Sequence, residues 1–198
     1  MDILDKIDRN DYFSSVDRHL ARFMTGLSPQ TDPVIGLSAA LLSRNNREGD
    51  VCIDLGSFAG SILGSEVEGE LALACPNLSK WREHLKKSEL VGKPGGYFPL
   101  IRDNADRLYF YRYWKYEREL IDFICLRTQD NVGEIDQEKL KRHLNAFFPE
   151  TGKPGIDWQK TAAAVAVLKR FCVISGGPGT GKTYAIARIL ATLIQQSG

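Results

Sequence analysis

Eight residues near the carboxyl end of this 198-residue chain have types and spacing that suit phosphate chemistry: Gly176, Gly177, Pro178, Gly179, Thr180, Gly181, Lys182 and Thr183, which read G-x-x-x-x-G-K-T. A polyphosphate needs several hydrogen-bond donors at short range, and consecutive backbone N–H groups curled around it supply them. Gly176, Gly177, Gly179 and Gly181 permit backbone angles and close approaches that a β-carbon would block. A helix beginning at the end of such a loop adds its positive pole. Lys182 is expected to reach the β- and γ-phosphates, and the Thr183 hydroxyl to ligate Mg²⁺, so the ligands expected of this loop are ATP and Mg²⁺.

Elements must hold such a loop in place. Phe171 to Ile174 reads as a fully buried strand entering it, and Ala185, Ile186, Ile189, Leu190, Leu193 and Ile194 recur at helical spacing after it. Strand, loop and helix together are the context that separates a phosphate-binding loop from a bare glycine turn. Upstream, Asp157 can cap a helix running to about Arg170. Gln159 lies at the start of that helix. Its amide offers one donor and one acceptor, a match for the N6/N7 edge of adenine, although a lone glutamine there is more commonly a solvated surface residue.

Composition bounds the rest. The chain is 43% hydrophobic and 26% charged, with a net charge of +1, so any surface for nucleic acid must be local. Cys52, Cys75, Cys125 and Cys172 are widely separated, lack metal-ligand spacing, and read as reduced thiols of a cytoplasmic protein. No apolar run approaches the roughly eighteen residues of a membrane span, and Met1 to Lys6 does not open like a signal peptide.

In chain order, Tyr12 to Leu27 is an amphipathic helix, and Val34 to Ser43 a second, buried one. Arg44 to Asp50 reads as a polar turn and Val51 to Leu55 as a short strand. Ser79 to Ser88 is a short helix. Phe98 to Ile101 and Arg107 to Tyr111 flank a turn and suggest a hairpin. The run Arg112-Tyr113-Trp114-Lys115-Tyr116 interleaves aromatics with cations. It suits base stacking, but burial of one aromatic face by strand and helix is the weightier expectation. Glu117 to Arg127 is a helix, Asp136 caps another, and Pro149 to Gly155 is a connector.

Several of these stretches resemble one family. D-W-Q-K-x-A-A-A-V-A from Asp157 and V-I-S-G-G-P-G-T-G-K-T from Val173 look like superfamily-one DNA helicases of the RecD type, the alpha subunit of exodeoxyribonuclease V (RecBCD). A-A-L-L-S-R before G-D-V-C-I-D-L, and R-L-Y-F-Y-R-Y-W-K-Y-E from Arg107, are similar to the same family. Tyr184 stands where a second threonine is common. The resemblance implies adenine recognition by Gln159 and phosphate and magnesium binding by Gly176 to Thr183. It further implies an ATP-dependent 5′→3′ helicase in double-strand break repair and recombination, with RecC-type and RecB-type partners and with DNA ends held by the full-length motor.

The expected fold is mixed: a mainly α-helical amino-terminal domain with a small β-hairpin, then the start of an α/β RecA-like P-loop NTPase domain. Residues 1–110 are assigned to partner docking, 111–155 to a helical linker, and 156–198 to the first strand, P-loop and helix of the motor. The resemblance covers about the first third of a full-length member, so the chain reads as a fragment without the acidic residue, water-orienting group and second lobe that hydrolysis needs. It is expected to be inactive alone, with the strand at Phe171 lacking sheet partners. The amino-terminal region, without excess positive charge, is expected to bind protein and not DNA. The alternatives are a subunit-docking module, or another P-loop NTPase carrying an unrelated amino-terminal domain.

Overall fold

A computed structural model describes residues 2–27, 30–64, 72–129, 133–149 and 155–197. The chain divides into two compact units, residues 1–118 and 119–198. The first contains α1 (Ile3–Arg9), α2 (Ser15–Gly26), α3 (Pro33–Glu48), β1 (Ile53–Asp54), α4 (Leu55–Phe58), β2 (Ile62–Leu63), β3 (Leu73–Ala74), α5 (Leu78–Lys87), β4 (Val91–Gly92), β5 (Leu100–Arg102) and β6 (Arg107–Phe110). A long helix, α6 (Tyr111–Gln129), begins in this unit, and α7 (Gln137–Phe147), α8 (Trp158–Leu168) and α9 (Lys182–Ser197) belong to the second. The described residues are thus mainly helical, with two small sheets.

The first unit is built around α3. Asp32 caps it, Pro33 opens it, and the ten residues Val34 to Ser43 are all buried. A helix buried on every side belongs inside a core. The polar turn expected from Arg44 is absent, because the helix continues to Glu48 and stops only at Gly49, whose φ of 105° suits a left-handed cap. Arg44 explains the extra turn. It pairs with Glu48 at 2.9 Å, donates to the Tyr12 carbonyl at 3.1 Å and stacks over the Tyr12 ring at 3.8 Å. From α5, the buried Trp81 indole N–H donates to the Ser38 hydroxyl at 2.8 Å, which donates to the Val34 carbonyl at 2.7 Å. The largest buried side chain in the unit therefore leaves no polar atom unmatched.

The larger sheet has the order β1-β6-β5-β4, with β4 parallel to β5 and the other pairs antiparallel. The expected hairpin is β5–β6, in register Ile101↔Tyr109. Its turn places Asp106 at φ 60°, a conformation uncommon outside glycine, asparagine and aspartate, and holds it by ion pairs to Arg82 and Arg102. The strand expected over Val51 to Leu55 is shorter, because Asp54 caps α4 at Leu55. Tyr109 is buried and Phe110 packs on the core, but α6 carries no buried residue, and Tyr113 and Tyr116 are exposed. The run Arg112 to Tyr116 lies wholly in α6, so the burial expected of one aromatic face is corrected: the covered rings are those of β6, and no residue of α6 is buried.

In the second unit, Leu140, Leu144 and Phe148 meet Ala163 and Val167 of α8 and Ile189 of α9. Asp136 and Asp157 cap α7 and α8 as their spacing predicts. Phe171 to Ile174 belongs to no sheet among the described residues, and Val173 is 74% exposed. The buried strand predicted there is thus corrected: a strand requires backbone partners, and none of the described residues supplies them. Only Ile174 packs against the cluster, and Ile186, Leu190, Leu193 and Ile194 of α9 face water. Among the described residues no helix is long and apolar enough to cross a membrane.

The α2–α3 contact is sealed by Asp17, whose side chain is 0% exposed. Its carboxylate accepts from the Ser14 N–H and hydroxyl, from Ser43 at 2.6 Å and from Arg47 at 2.6 Å. Burial pushes this carboxyl up, and the bonds from Arg47, Ser43 and Ser14 together outweigh burial, leaving it below the ordinary carboxylate value. A depressed folded value stabilises the fold above the unfolded pKa, about 3.9, and that stability is lost as pH falls through the folded value. Asp17→Ala should cost about 3 kcal/mol in urea unfolding at neutral pH. The gap to the parent protein should narrow below about pH 4; a gap that stays constant would show that the charge carries none of it.

Candidate functional site

The glycine-rich loop is positioned from two sides. On one side Asp157 Oδ1 accepts from the backbone N–H groups of Gln159 and Lys160, both at 3.0 Å, which fixes the first turn of α8. That cap presents Gln159, whose Nε2 donates to the Thr180 carbonyl at 3.2 Å. On the other side α9 starts at Lys182, its first turn closed by Ala185 N–H to the Gly181 carbonyl at 2.9 Å. Gly181, having no side chain, cannot accept from the first-turn N–H groups, which stay available to an anion.

Two different constraints demand glycine. Gly179 and Gly181 have φ of 74° and 80°. Left-handed residues spaced along a short loop turn successive N–H groups toward one side, the geometry of an anion-binding concavity. At Gly176 a β-carbon would lie 2.8 Å from Thr180 Oγ1, and at Gly181 it would lie 2.5 Å from Gln159 Nε2. Gly177 meets nothing nearer than Thr180 Cγ2 at 4.0 Å. The Thr180 hydroxyl donates to the Gly177 carbonyl at 2.9 Å and closes the loop across Pro178.

Lys182 turns back on the loop. Its Nζ donates to the carbonyls of Gly176 at 2.5 Å and Gly177 at 2.6 Å, so the ammonium sits over the mouth that the glycines form. Thr183 is exposed on the first turn of α9. The structure therefore brings together Gln159, Gly176, Gly177, Pro178, Gly179, Thr180, Gly181, Lys182 and Thr183, all within the second unit. The donor set fits a nucleoside triphosphate: backbone N–H groups and one ammonium for the phosphates, one amide for a base. The donor set is less complete for magnesium. Asp157 is the sole carboxylate between residues 155 and 198, and its oxygen is engaged in the α8 cap.

One contact escapes the motif. Arg188 lies over the Tyr184 ring at 3.7 Å and over the Phe148 ring at 5.2 Å, tying the first turns of α9 to the end of α7. The i, i+4 spacing of Tyr184 and Arg188 is the signal for it, and it gives the tyrosine at that position a packing role.

Comparison with known proteins finds one family match in each unit. Residues 9–109 match the family model described as RecBCD enzyme subunit RecD, N-terminal domain, and residues 159–198 match an AAA domain. The first match removes the reading of an unrelated amino-terminal domain. The chain is similar to the RecBCD enzyme subunit RecD of Mycolicibacterium smegmatis, 35% identical over 182 residues, and to that of Mycobacterium tuberculosis, 32% identical over 183. The subunit RecD of Buchnera aphidicola is 27% identical over 187 residues. Each alignment covers 91–92% of this chain but only 28–29% of the relative.

The loop geometry makes a test that needs no ligand. Gly181→Ala should destabilise the second unit by about 1–2 kcal/mol, because its left-handed φ resists a β-carbon. Gly177→Ala should stay within about 0.5 kcal/mol. Chemical denaturation of the two variants checks this, and equal losses would contradict the described loop.

Proposed function

The chain belongs to the RecD family of RecBCD enzyme subunits, and from that membership we propose that it forms the amino-terminal part of an ATP-dependent DNA helicase subunit. The motor, on this reading, moves 5′→3′ on single-stranded DNA from broken ends, in double-strand break repair and recombination. The observation that carries the proposal is the hydrogen bond from Gln159 to the Thr180 carbonyl. It sets an adenine-reading amide against the phosphate-binding loop, so base and phosphate recognition meet in one place. Gln159 reads the adenine edge, and the Gly176–Gly181 backbone with Pro178 and Thr180 cradles the phosphates. Lys182 neutralises them, and Thr183 is the hydroxyl that would hold Mg²⁺, whose chemistry is to bridge phosphate oxygens and draw off their charge. The start of an α/β RecA-like domain at residues 156–198 is part of the same proposal.

A second observation supports a docking role for residues 1–110. Along α2, Val16 and Phe23 are 63% and 62% exposed, Leu27 is exposed and Leu20 half-buried, which makes one apolar stripe on the outside of the first unit. Such a stripe suits a protein partner, and the RecC-type and RecB-type subunits are the partners that family membership suggests. A reducing, cytoplasmic setting fits the four free cysteines.

Two measurements test these readings. In calorimetric titration the 198-residue chain should bind ATP with Mg²⁺ at micromolar affinity at best, without measurable turnover, since one acidic magnesium ligand is wanting. Lys182→Ala should abolish that binding, and Gln159→Ala should cut the preference for ATP over GTP by about tenfold. Brisk hydrolysis by the chain would refute the account of the magnesium site. For docking, Phe23→Ala should weaken co-purification with a RecC-type subunit by about 2 kcal/mol, as expected of a central aromatic anchor. Undiminished binding would move the interface off α2.

A further inference from the structure

A glutamine amide is not by itself a selective reader of a purine. It carries an acceptor and a donor of nearly the same shape, and half a turn about its last bond exchanges them. One orientation offers Oε1 to the N6 amino group of adenine, and the other offers Nε2 to the O6 carbonyl of guanine. Selectivity therefore requires something that forbids one orientation. Gln159 has it. Its half-buried side chain places Nε2 3.2 Å from the Thr180 carbonyl oxygen. A carbonyl accepts and cannot donate, so the turned amide would set two acceptors against each other. A β-carbon on Gly181 would lie 2.5 Å from Nε2, so the amide rests where that side chain is missing.

The carbonyl that enforces this needs support of its own. Thr180 stands between Gly179 and Gly181, both left-handed and both conformationally permissive. Its hydroxyl supplies the constraint that its neighbours lack. It donates at 2.9 Å to the Gly177 carbonyl, the same oxygen that receives the Lys182 ammonium at 2.6 Å. A β-carbon on Gly176 would lie 2.8 Å from this hydroxyl, so the oxygen fills the space that glycine leaves. A line of hydrogen bonds thus runs from Lys182 through Gly177 and Thr180 to Gln159.

We propose that Thr180 is a positioning residue: through its carbonyl it locks the Gln159 amide with Oε1 toward the base. The site then accepts purines with an N–H donor at the N6 position, adenine and 2,6-diaminopurine, and rejects guanine and hypoxanthine, which carry a carbonyl there. The proposal rests on Gln159 as the adenine reader and adds how the choice between bases is enforced.

The test is calorimetric titration of the 198-residue chain, with Mg²⁺, against the triphosphates of these four bases. The adenine and diaminopurine nucleotides should bind about tenfold more tightly than the guanine and hypoxanthine ones. Thr180→Val keeps the branched shape and removes the hydroxyl. It should narrow that gap about fivefold, the O6 nucleotides gaining while the N6 nucleotides lose. Thr180→Ser should restore the gap. In a Gln159→Ala background Thr180→Val should leave the gap unchanged, because the residue acts through that amide. A readout without nucleotide is the side-chain amide NMR signal of Gln159. Its two protons should be well separated and slow to exchange in the parent, and should move to the positions of a solvated glutamine in Thr180→Val. If the parent binds none of the four, or Gln159→Ala leaves the gap intact, the adenine reading itself fails and the lock with it. If Gln159→Ala closes the gap while Thr180→Val leaves it open or weakens all four nucleotides equally, the adenine reading stands and the lock is overturned. Solvated Gln159 signals in the free parent overturn the lock as well.

Discussion

Asp17 is a carboxylate without contact with water, and the way its oxygens are satisfied dictates how the first unit assembles. A buried charge is tolerated only when it is paired and fully hydrogen-bonded. Here Ser14 contributes from the start of α2, while Ser43 and Arg47 contribute from α3. The same side chain therefore caps one helix and fastens it to the next. Once α2 and α3 are joined, the remaining faces of α3 are covered by α1, by Trp81 of α5 and by β1 and β6, which completes one contiguous core. The larger sheet follows from this. Its inward residues Ile53, Leu100 and Leu108 belong to the cluster that α3 centres.

The second unit is held on different terms. Among the described residues its core joins three helices through a cluster of six buried side chains, and the loop between α8 and α9 depends on polar contacts for its shape. Gln159, Thr180 and Lys182 all donate to loop carbonyls. A backbone that forms no sheet needs such partners, and side chains supply them here.

Much of this was legible in the residues because local chemistry decides it. Asp136 and Asp157 announce helix starts, and G-x-x-x-x-G-K-T a phosphate-binding loop with its residues already in order. What was hidden depends on distant contacts. Arg44 to Glu48 has the composition of a turn, and contacts far away in sequence, from Arg44 to Tyr12 and from Arg47 to Asp17, make it worth keeping helical. Tyr111 to Tyr116 is rich in residues that favour strands, yet the helix begins at Tyr111, directly after the hairpin. Phe171 to Ile174 has the apolar character of a buried strand, but strands are made by their neighbours, and periodicity does not reveal whether neighbours are present. At the site, the motif named the donors; the capture of Lys182 by two carbonyls was not readable, because it depends on the path of the loop.

That capture changes what binding at the loop means. The Lys182 ammonium already has two oxygen ligands from its own backbone, at 2.5 and 2.6 Å. An arriving phosphate therefore replaces neutral oxygens around a cation that was never bare. Binding becomes a ligand exchange, and its heat reports a difference between two sets of charge-assisted bonds. Affinity then owes less to raw attraction than to the extra charge of the newcomer, and anions of lower charge displace the carbonyls less readily. The loop carries its own measure of how anionic a guest must be.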